Sequence, residues 1–321
     1  MTIVVPSPLR RADDGAIADA ARILRDGGLV AFPTETVYGL GADATDGRAV
    51  ARIFEAKGRP RFNPLIVHVG NLAEAERYAT FNDSAQLLAA AFWPGALTLV
   101  LPRAAGCGLS ELVSAGLDTV ALRVPAHPVA ARLLSISGRP IAAPSANASG
   151  RVTATTAQHV MQSLGDKVDF ILDGGATPLG LESTVIGFDG GRPVLLRAGA
   201  IARGDIEALA GPLAISRGGK IQSPGQLASH YAPRAKLRLD AMSVRPDEAL
   251  LAFGPLTPQG ARLTLNLSVA GDLREAAANL FAMLHILDAG GTASIAVMPV
   301  PSHGLGEAIN DRLQRAAAPP P

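Results

Sequence analysis

The chain has 321 residues, of which 48% are hydrophobic and 18% are charged, a composition that excludes a disordered protein and leaves room for two domains. Its 29 Lys and Arg residues against 28 Asp and Glu give a net charge of +1, which excludes an overall field able to hold a long nucleic acid backbone. A single cysteine, Cys107, excludes an internal disulfide, and the chain shows neither the apolar core of a signal peptide nor a spanning apolar run, so we expect a cytoplasmic protein with no membrane partner.

Between residues 28 and 199, short apolar runs rich in Val, Ile and Leu alternate with helical patterns, which predicts an α/β domain. The runs, in chain order, are LVAFP, PLIVHV, ALTLVL, TVALRVP, PIAAPS, DFILDGG, STVIGF and PVLLRAG. Helices are predicted over 46–57, 84–92, 128–137 and 156–164, several of them opening with Asp, Ser or Thr as a cap. The last two strands are joined only by Asp189-Gly190-Gly191, which predicts a hairpin and therefore a sheet with both parallel and antiparallel pairs.

The periodic pattern stops near Gly211, where the segment GPLAISRGGKIQSPGQLASHYAP is rich in glycine and proline. We interpret residues 212–235 as a linker between a first domain, 1–211, and a smaller second domain, 236–321. The second domain begins a new α/β series, with strands predicted at KLRLD, ALLAFG, ARLTLNL and SIAVMPV and helices over 272–288 and 305–316.

The segment PTETVYGLGADA, 33–44, follows a predicted strand and concentrates polar side chains where a strand ends, as in the lining of a cleft. Gly39 and Gly41 would let the backbone turn tightly or approach a ligand. The string partly matches a dinucleotide fingerprint, but five polar or bulky residues separate its first glycine from the strand, so we reject a dinucleotide site. A glycine-rich turn with capping threonines remains the alternative.

Two further segments carry groups suited to phosphates. In AKGRPRFNP, Lys57, Arg59 and Arg61 follow a predicted helix on a loop stiffened by prolines, which suits a triphosphate, with capping of the helix C-terminus as the alternative. In PIAAPSANASG, Ser145 and Asn147 offer hydrogen bonds to phosphate or ribose oxygens, or else form a simple turn. The sequence has no P-loop, no G-x-S-x-G elbow and no metal-ligand spacing of histidines, so neither covalent catalysis nor a protein metal site is predicted.

Taken together and in this order, PTETVYGLGADA, KGRPRFNPLIVHV, WPGALTLVL, TVALRVPAHP, PSANASG and LESTVIGF resemble the threonylcarbamoyl-AMP synthase family, whose catalytic unit is the YrdC-like domain. The resemblance covers residues 10–210, and SPGQLASHYAP with the residues after it resembles the long, two-domain form of that family. It implies a YrdC-like mixed twisted sheet with flanking helices, plus a smaller Rossmann-like α/β C-terminal domain. In the family the linker acts as a lid.

The resemblance also implies site residues. The family's Lys-x-Arg and Ser-x-Asn pairs correspond to Lys57, Arg59, Ser145 and Asn147, of which Lys57 and Arg59 are expected to be catalytic. ATP is expected to contact these four residues together with Asn63, Thr119, Thr153, Arg197 and Tyr231, and threonine is expected to contact Thr36, His68, Arg123, Ala143 and Ser183. A guanidinium can hold the carboxylate of an amino acid with two hydrogen bonds. Glu35 and Glu182 are further candidates, as helpers for the Mg²⁺ that accompanies ATP.

The implied activity is that of an L-threonylcarbamoyladenylate synthase, a nucleotidyltransferase that converts L-threonine, bicarbonate or carbon dioxide, and ATP into threonylcarbamoyl-AMP and pyrophosphate. This is the first step of N6-threonylcarbamoyladenosine formation at position 37 of tRNAs that decode ANN codons. The implied partners are therefore a downstream tRNA threonylcarbamoyl transferase complex and, weakly, tRNA, with Mg²⁺ arriving together with ATP. Two alternatives remain open: a tRNA- or double-stranded-RNA-binding module without catalysis, and a carbamoyltransferase.

Overall fold

The N-terminal domain is built on one large mixed sheet. The computed structural model describes residues 8–215 and 230–319. Within the first of these ranges the strands are β1 (Leu9–Arg11), β2 (Val30–Pro33), β3 (Tyr38–Asp43), β4 (Ile66–His68), β5 (Leu97–Pro102), β6 (Thr119–Arg123), β7 (Ile141–Ala142), β8 (Phe170–Asp173), β9 (Thr184–Asp189), β10 (Arg192–Arg197) and β11 (Ala214–Ile215). Their spatial order is β1-β8-β2-β3-β7-β4-β6-β5-β9-β10-β11. The predicted α/β class with a mixed sheet is therefore confirmed.

Helices pack against this sheet, and local signals set their ends. They are α1 (Asp14–Arg25), α2 (Gly47–Lys57), α3 (Leu72–Ala75), α4 (Asp83–Phe92), α5 (Glu111–Ser114), α6 (Pro128–Ser137), α7 (Ala157–Leu164) and α8 (Arg203–Ala210). Asp46 caps α2 by accepting hydrogen bonds from the backbone N–H groups of Arg48 and Ala49, and Gly58 ends it in the left-handed region at φ 60°. The four helices predicted from the sequence are confirmed.

The predicted hairpin is formed by β9 and β10, which run antiparallel with Asp189 opposite Arg192. Gly190 and Gly191 connect them at φ values of 53° and 83°. Positive φ at both central residues is the geometry that matches the twist of a two-residue hairpin, and only glycine adopts it without steric cost.

Strand pairing brings polar residues from distant parts of the chain together. β4 lies between β6, with which it is parallel, and β7, with which it is antiparallel, so that His68 pairs with Arg123 on one side and Ile141 on the other. An isolated antiparallel bridge joins Gly39 of β3 to Ser145, just beyond the end of β7. The strand ends therefore bring the 33–44 segment and the PSANASG segment to one place.

Part of the 33–44 segment is a strand, which corrects the prediction of a loop with freely turning glycines. β3 pairs antiparallel with β2, and all of its residues are buried. A Cβ atom at Gly41 would lie 2.8 Å from the side chains of Phe32 and Ile141, so this glycine is required by close packing inside the sheet and not by the approach of a ligand.

The predicted linker, 212–235, starts with residues that belong to the first sheet, since β11 pairs parallel with β10. Residues 216–229, which include most of the predicted lid, lie outside the described residues. After them come strands β12 (Lys236–Arg238), β13 (Ala249–Ala252), β14 (Leu263–Asn266) and β15 (Ser294–Val297), with helices α9 (Leu273–Ala289) and α10 (Gly306–Ala317). These strands are all parallel, in the order β12-β15-β13-β14, which confirms the smaller α/β domain.

The hydrophobic core of the C-terminal domain extends to the N-terminal domain. Phe281 and Leu284 of α9 belong to the same buried cluster as Val152, Leu181 and Tyr231. The two domains therefore meet through packed side chains beside the polar strand ends described above. In the described ranges, no helix is both long enough and apolar enough to cross a membrane.

Candidate active site

A cleft opens where the 34–37 loop, the ends of β4 and β6, and the segment after β7 converge. Its lining residues are Thr34, Thr36, Val37, Tyr38, Gly39, Arg59, Ile66, His68, Arg123, Ala143, Pro144, Ser145, Glu182, Ser183, Arg197, His230 and Tyr231. All five residues predicted to contact threonine line the cleft.

Arg123 is held in the cleft by three different groups. Its side chain donates from Nη1 to Oγ1 of Thr36 at 2.8 Å, from Nη2 to Oε1 of Glu35 at 2.6 Å, and from Nε to the carbonyl oxygen of Gly95 at 3.1 Å. The residue is 3% exposed, so this cation is fixed in a largely dry environment. A guanidinium has five N–H groups, so two remain to bind an anionic ligand.

Glu35, one of the two further candidates named from the sequence, is the ion-pair partner of Arg123. Its second carboxylate oxygen accepts a hydrogen bond from the backbone N–H of Ala126 at 3.1 Å. Both side chains of the pair are buried, and a buried carboxylate bonded in this way orients the arginine. Because Glu35 itself does not line the cleft, we assign it to holding Arg123 and not to contacting the substrate.

His68 provides a neutral imidazole next to Arg123. Burial, and then the charge of Arg123, lowers the pKa of His68 to about 3, so its ring is uncharged at neutral pH. The ring packs edge-to-face on Phe32, with 6.1 Å between the ring centres. Its Nδ1 atom is buried without a hydrogen-bond partner among the described residues, and such an atom is normally satisfied by a ligand or an ordered water.

Ser183 links the predicted threonine residues to the predicted ATP residues. Its hydroxyl lies 2.7 Å from that of Thr98, and Arg197 donates from Nη2 to the Ser183 carbonyl oxygen at 2.8 Å and to its hydroxyl at 3.2 Å. Arg197 is buried, and burial lowers its pKa. The two predicted subsites are therefore neighbours and share a hydrogen-bond network.

Arg59 is a second buried cation of the cleft. Its Nε donates to the carbonyl oxygen of Asn63 at 3.2 Å, and its Nη2 donates to that of Pro64 at 2.8 Å. Burial lowers the pKa of Arg59 to about 9, which still leaves it charged at neutral pH. Arg61, in contrast, is exposed, so two of the three loop cations are buried, and contact of all three with a triphosphate stays a prediction.

Lys57 is buried but does not line the cleft. Its Nζ donates to the carbonyl oxygen of Ser145 at 2.5 Å and to that of Asn147. Burial, and then the charge of Arg59, holds the pKa of Lys57 well below its usual value. The structure therefore shows Lys57 fixing the Ser-x-Asn loop beneath the cleft, and direct contact with phosphate stays a prediction.

The remaining predicted ATP residues divide into two groups. Asn63 and Asn147 are each 1% exposed, and the Oδ1 atom of each is buried without a hydrogen-bond partner in the described part of the chain. Thr153 donates from Oγ1 to Oε1 of Glu182 at 2.9 Å, at the edge of the cleft. Thr119 begins β6, about 13 Å from Arg123 at the usual rise of a strand, and the structure does not bring it to the cleft.

Residues at the end of the predicted linker complete one wall of the cleft. Tyr231 is 1% exposed, with its ring stacked on Phe281 of α9 at 5.5 Å between centres. Beside it, Arg312 of α10 donates from Nε to Oε2 of Glu182 at 2.9 Å. The sequence indicated neither His230, which also lines the cleft, nor Arg312. His230 lies inside the quoted SPGQLASHYAP motif and could have been included, whereas no local signal marks Arg312.

The charged side chains of the cleft favour anions. Among the described residues no group of three or more His, Cys, Asp or Glu side chains could hold a metal ion. Glu182, which lines the cleft, and Glu35, which lies behind Arg123, are both paired with arginine. The arrangement can instead bind anions with fixed arginines at two neighbouring positions.

Comparisons with known proteins match the whole of this architecture. Residues 22–199 match the family model described as Telomere recombination, and residues 201–318 match the model described as Threonylcarbamoyl-AMP synthase, C-terminal domain. Among curated proteins, a threonylcarbamoyl-AMP synthase of Pyrococcus abyssi is 41% identical over 336 residues, which cover 99% of this chain and 98% of that protein. A threonylcarbamoyl-AMP synthase of Bacillus subtilis is 42% identical over 325 residues, which cover 95% of this chain and 94% of that protein.

Among solved structures, that of P. abyssi Sua5 complexed with L-threonine matches with a TM-score of 0.88 at 39% identity and covers 96% of both chains. The match includes both domains, so the predicted two-domain form is supported over nearly the full length. The predicted enzyme class is confirmed by the same relatives, because they are named as synthases. The chain belongs to the threonylcarbamoyl-AMP synthase family.

Proposed function

We propose that the chain joins L-threonine, bicarbonate and ATP into threonylcarbamoyl-AMP with release of pyrophosphate. The observation that carries the proposal is that one cleft is lined by Arg123, which belongs to the predicted threonine residues, and by Arg59 and Arg197, which belong to the predicted ATP residues, with Arg197 bonded to Ser183. A carboxylate and a triphosphate are the anions that such a pair of cation sites suits. The solved relative that carries L-threonine supports the assignment of the amino acid.

Threonine binds at Arg123. The guanidinium is already oriented by Glu35 and Thr36, so little side-chain entropy is lost when the carboxylate of the amino acid binds to its two remaining N–H groups. His68 stays uncharged at neutral pH and therefore offers a hydrogen bond without repelling the α-amino group. The neutral amine can then attack carbon dioxide, which is in equilibrium with bicarbonate. A C–N bond forms, and the nitrogen loses one proton to solvent to give the carbamate.

The phosphates of ATP bind at Arg59 and Arg197. In the chemical step the carbamate oxygen of threonine attacks the α-phosphorus, a new P–O bond forms, and the bond from the α-phosphorus to the bridging oxygen breaks as pyrophosphate leaves. No protein nucleophile is required. The chain contributes by aligning the two substrates and by placing fixed cations where negative charge accumulates.

Mg²⁺ enters with ATP as part of the substrate. Glu35 and Glu182 each accept a hydrogen bond from an arginine, which assigns both carboxylates to positioning side chains. Mg²⁺ typically keeps several water ligands and binds the phosphate oxygens of a nucleotide. The proposal therefore has the metal arrive with ATP.

The product would be consumed by a tRNA threonylcarbamoyl transferase complex, which attaches the threonylcarbamoyl group at adenosine 37 of tRNAs that decode ANN codons. Such substrates are available in the cytoplasm, where we propose that the chain acts, and weak binding of tRNA would assist transfer. The linker between residues 212 and 235 would act as a lid, since Tyr231 at its end lines the cleft. A lid would protect the carbamate and the mixed anhydride from water.

The test is to incubate the purified chain with ATP, Mg²⁺, bicarbonate and each amino acid in turn, and to measure pyrophosphate release and the adduct by mass spectrometry. Release that requires both threonine and bicarbonate supports the proposal. ATP binding without turnover for any amino acid would favour the RNA-binding alternative, and a steep salt dependence of tRNA binding would then identify it.

Arg59→Ala and Arg61→Ala form a matched pair on one loop. Arg59 is buried in the cleft and Arg61 is exposed, so only the first should raise the barrier, by about 2–4 kcal/mol, which is the effect of losing one electrostatic donor. Equal rates for the two variants would contradict the proposed phosphate site.

A further inference from the structure

Arg312 of the C-terminal domain reaches the wall of the cleft in the N-terminal domain. The residue is 1% exposed. Its Nε donates to Oε2 of Glu182 at 2.9 Å, its Nη2 donates to the carbonyl oxygen of Ala198 at 2.8 Å, and its Nη1 donates to Asp311 at 2.5 Å. Its guanidinium also lies 5.2 Å from the centre of the Tyr231 ring. One side chain of the second domain thus contacts two residues that line the cleft.

Glu182 places a carboxylate next to the proposed phosphate site. Burial alone would raise the pKa of Glu182, but the charges of Arg312 and then Arg197 outweigh it and hold the pKa below its usual value. The carboxylate is therefore ionised at neutral pH. A buried negative charge repels a nearby triphosphate unless a cation neutralises it, and Arg312 is the cation that bonds to it directly.

The conformation of Tyr231 also depends on Arg312. Its φ of 67° lies in the left-handed region, which is costly for a residue with a bulky side chain. The ring is packed between Phe281 and the Arg312 guanidinium, and the next residue, Ala232, donates its backbone N–H to the carbonyl oxygen of Gly150 at 2.8 Å. The C-terminal domain therefore supplies the packing that keeps this conformation.

We propose that Arg312 is a positioning residue for ATP: it neutralises Glu182 and holds Tyr231 against the cleft, so that the nucleotide site is complete only when the C-terminal domain is docked. The inference rests on the proposed function. It gives the second domain a task in the reaction, and it predicts that loss of Arg312 affects ATP far more than threonine, because no contact of Arg312 involves the Arg123 side of the cleft.

A second ion pair between the two domains provides the control. Arg203 of α8 bonds to Glu307 of α10, again across the two domains, and both side chains are partly exposed. Neither residue lines the cleft. Arg203→Gln therefore tests the consequence of weakening domain docking alone, while Arg312→Met also leaves Glu182 without its partner.

The pH dependence distinguishes the two effects. The groups that face Glu182 are Arg312 and Asp311 of α10, Arg197 of β10, and the rings of His230 and Tyr231. Burial lowers the pKa of His230 to about 3 and raises that of Tyr231 to about 12, so neither ring changes charge between pH 6 and 8. When Arg312 is absent, one of the charges that outweigh burial is lost, so the pKa of Glu182 should rise, and Glu182 is the group in this set whose charge state Arg312 controls directly.

The experiment measures the Kd for a non-hydrolysable ATP analogue by calorimetry, together with KM values for ATP and threonine, from pH 6 to 8. We expect Arg312→Met to weaken ATP binding about tenfold or more at pH 8, with the threonine KM changed less than about twofold. The weakening should be smaller at the lower end of this pH range than at the upper end, because protonation removes the negative charge of Glu182. Glu182→Gln combined with Arg312→Met should recover most of the ATP affinity, and Arg203→Gln should bind ATP as the unmodified chain does.

Three results would overturn the proposal: unchanged ATP binding in Arg312→Met, an equal loss for threonine and ATP, or a double variant no better than Arg312→Met. If Arg312→Met does not fold, the double variant is tested instead, because it buries no unpaired charge. ATP binding weakened by as much as tenfold in the double variant would refute the neutralising role of Arg312. Calorimetric binding of the ATP analogue does not depend on turnover. A chain that binds ATP but does not react with threonine would therefore refute the proposed function and leave this inference testable.

Discussion

The ion pair between Glu35 and Arg123 offers the sharpest test of how the cleft is built. The two side chains are 11% and 4% exposed, and the N···O distance is 2.6 Å, so solvent screens the pair very little. Removing one partner leaves the other as an unpaired buried charge, which typically costs 3–5 kcal/mol of the free energy of unfolding. We therefore expect Arg123→Met and Glu35→Gln each to destabilise the chain, by about 3–5 kcal/mol for the first and somewhat less for the second, because an amide keeps one oxygen acceptor.

The double variant decides whether the two residues act as a unit. With both charges gone, no unpaired ion remains, so the loss in the double variant should be smaller than the sum of the single losses by about 2 kcal/mol or more. Urea unfolding monitored by circular dichroism measures these free energies, provided that the m-values agree. Calorimetry should show threonine binding abolished in Arg123→Met and in the double variant.

The exposed pair of Arg10 and Asp19, with an N···O distance of 2.7 Å and side chains 45% and 41% exposed, is the matched control. Solvent screens such a pair, so the same double-mutant cycle should show no measurable coupling there. Additive losses at Glu35 and Arg123, or threonine affinity that survives the loss of Arg123, would refute the reasoning.

Three other changes have expected outcomes. Lys57→Met leaves two buried carbonyl oxygens of the Ser-x-Asn loop without their donor. The KM for ATP should therefore rise, and the free energy of unfolding should fall by about 1–3 kcal/mol. Kinetics and urea unfolding measure these effects, and a wild-type result in both would contradict the role of Lys57 in fixing this loop. The pKa of His68 is about 3 in the folded chain and near 6.5 when unfolded, so the unfolded state takes up a proton first and stability is lost as pH falls below 6.5. This histidine alone should lower the free energy of unfolding by about 2 kcal/mol between pH 7 and 5, and a His68→Gln curve as steep as that of the unmodified chain would disprove it. Gly41→Ala should destabilise by about 1–3 kcal/mol because its methyl would meet the Phe32 ring, whereas Gly204→Ala, in an open helical position, should be neutral or slightly stabilising in thermal unfolding.

Local features of this chain were determined by its sequence. The helix α2 begins after Asp46 and ends at Lys57, and the β9–β10 hairpin turns at Gly190 and Gly191, as the sequence predicts. Caps and turns depend on residues within about four positions of each other, so the information lies in the local sequence and needs no knowledge of the fold. The alternation of strands and helices in both domains could be predicted for the same reason.

The polar residues of the cleft could be named from their motifs, but their partners could not. Lys57 bonds to carbonyl oxygens 88 and 90 residues away, Arg123 bonds to Glu35 at a separation of 88, and Arg312 bonds to Glu182 at a separation of 130. These contacts exist only because the strands pair in one order and the second domain docks on the first. Tertiary structure alone therefore decided that Lys57 supports a loop, that Glu35 orients an arginine, and that Arg312 of the second domain reaches the cleft.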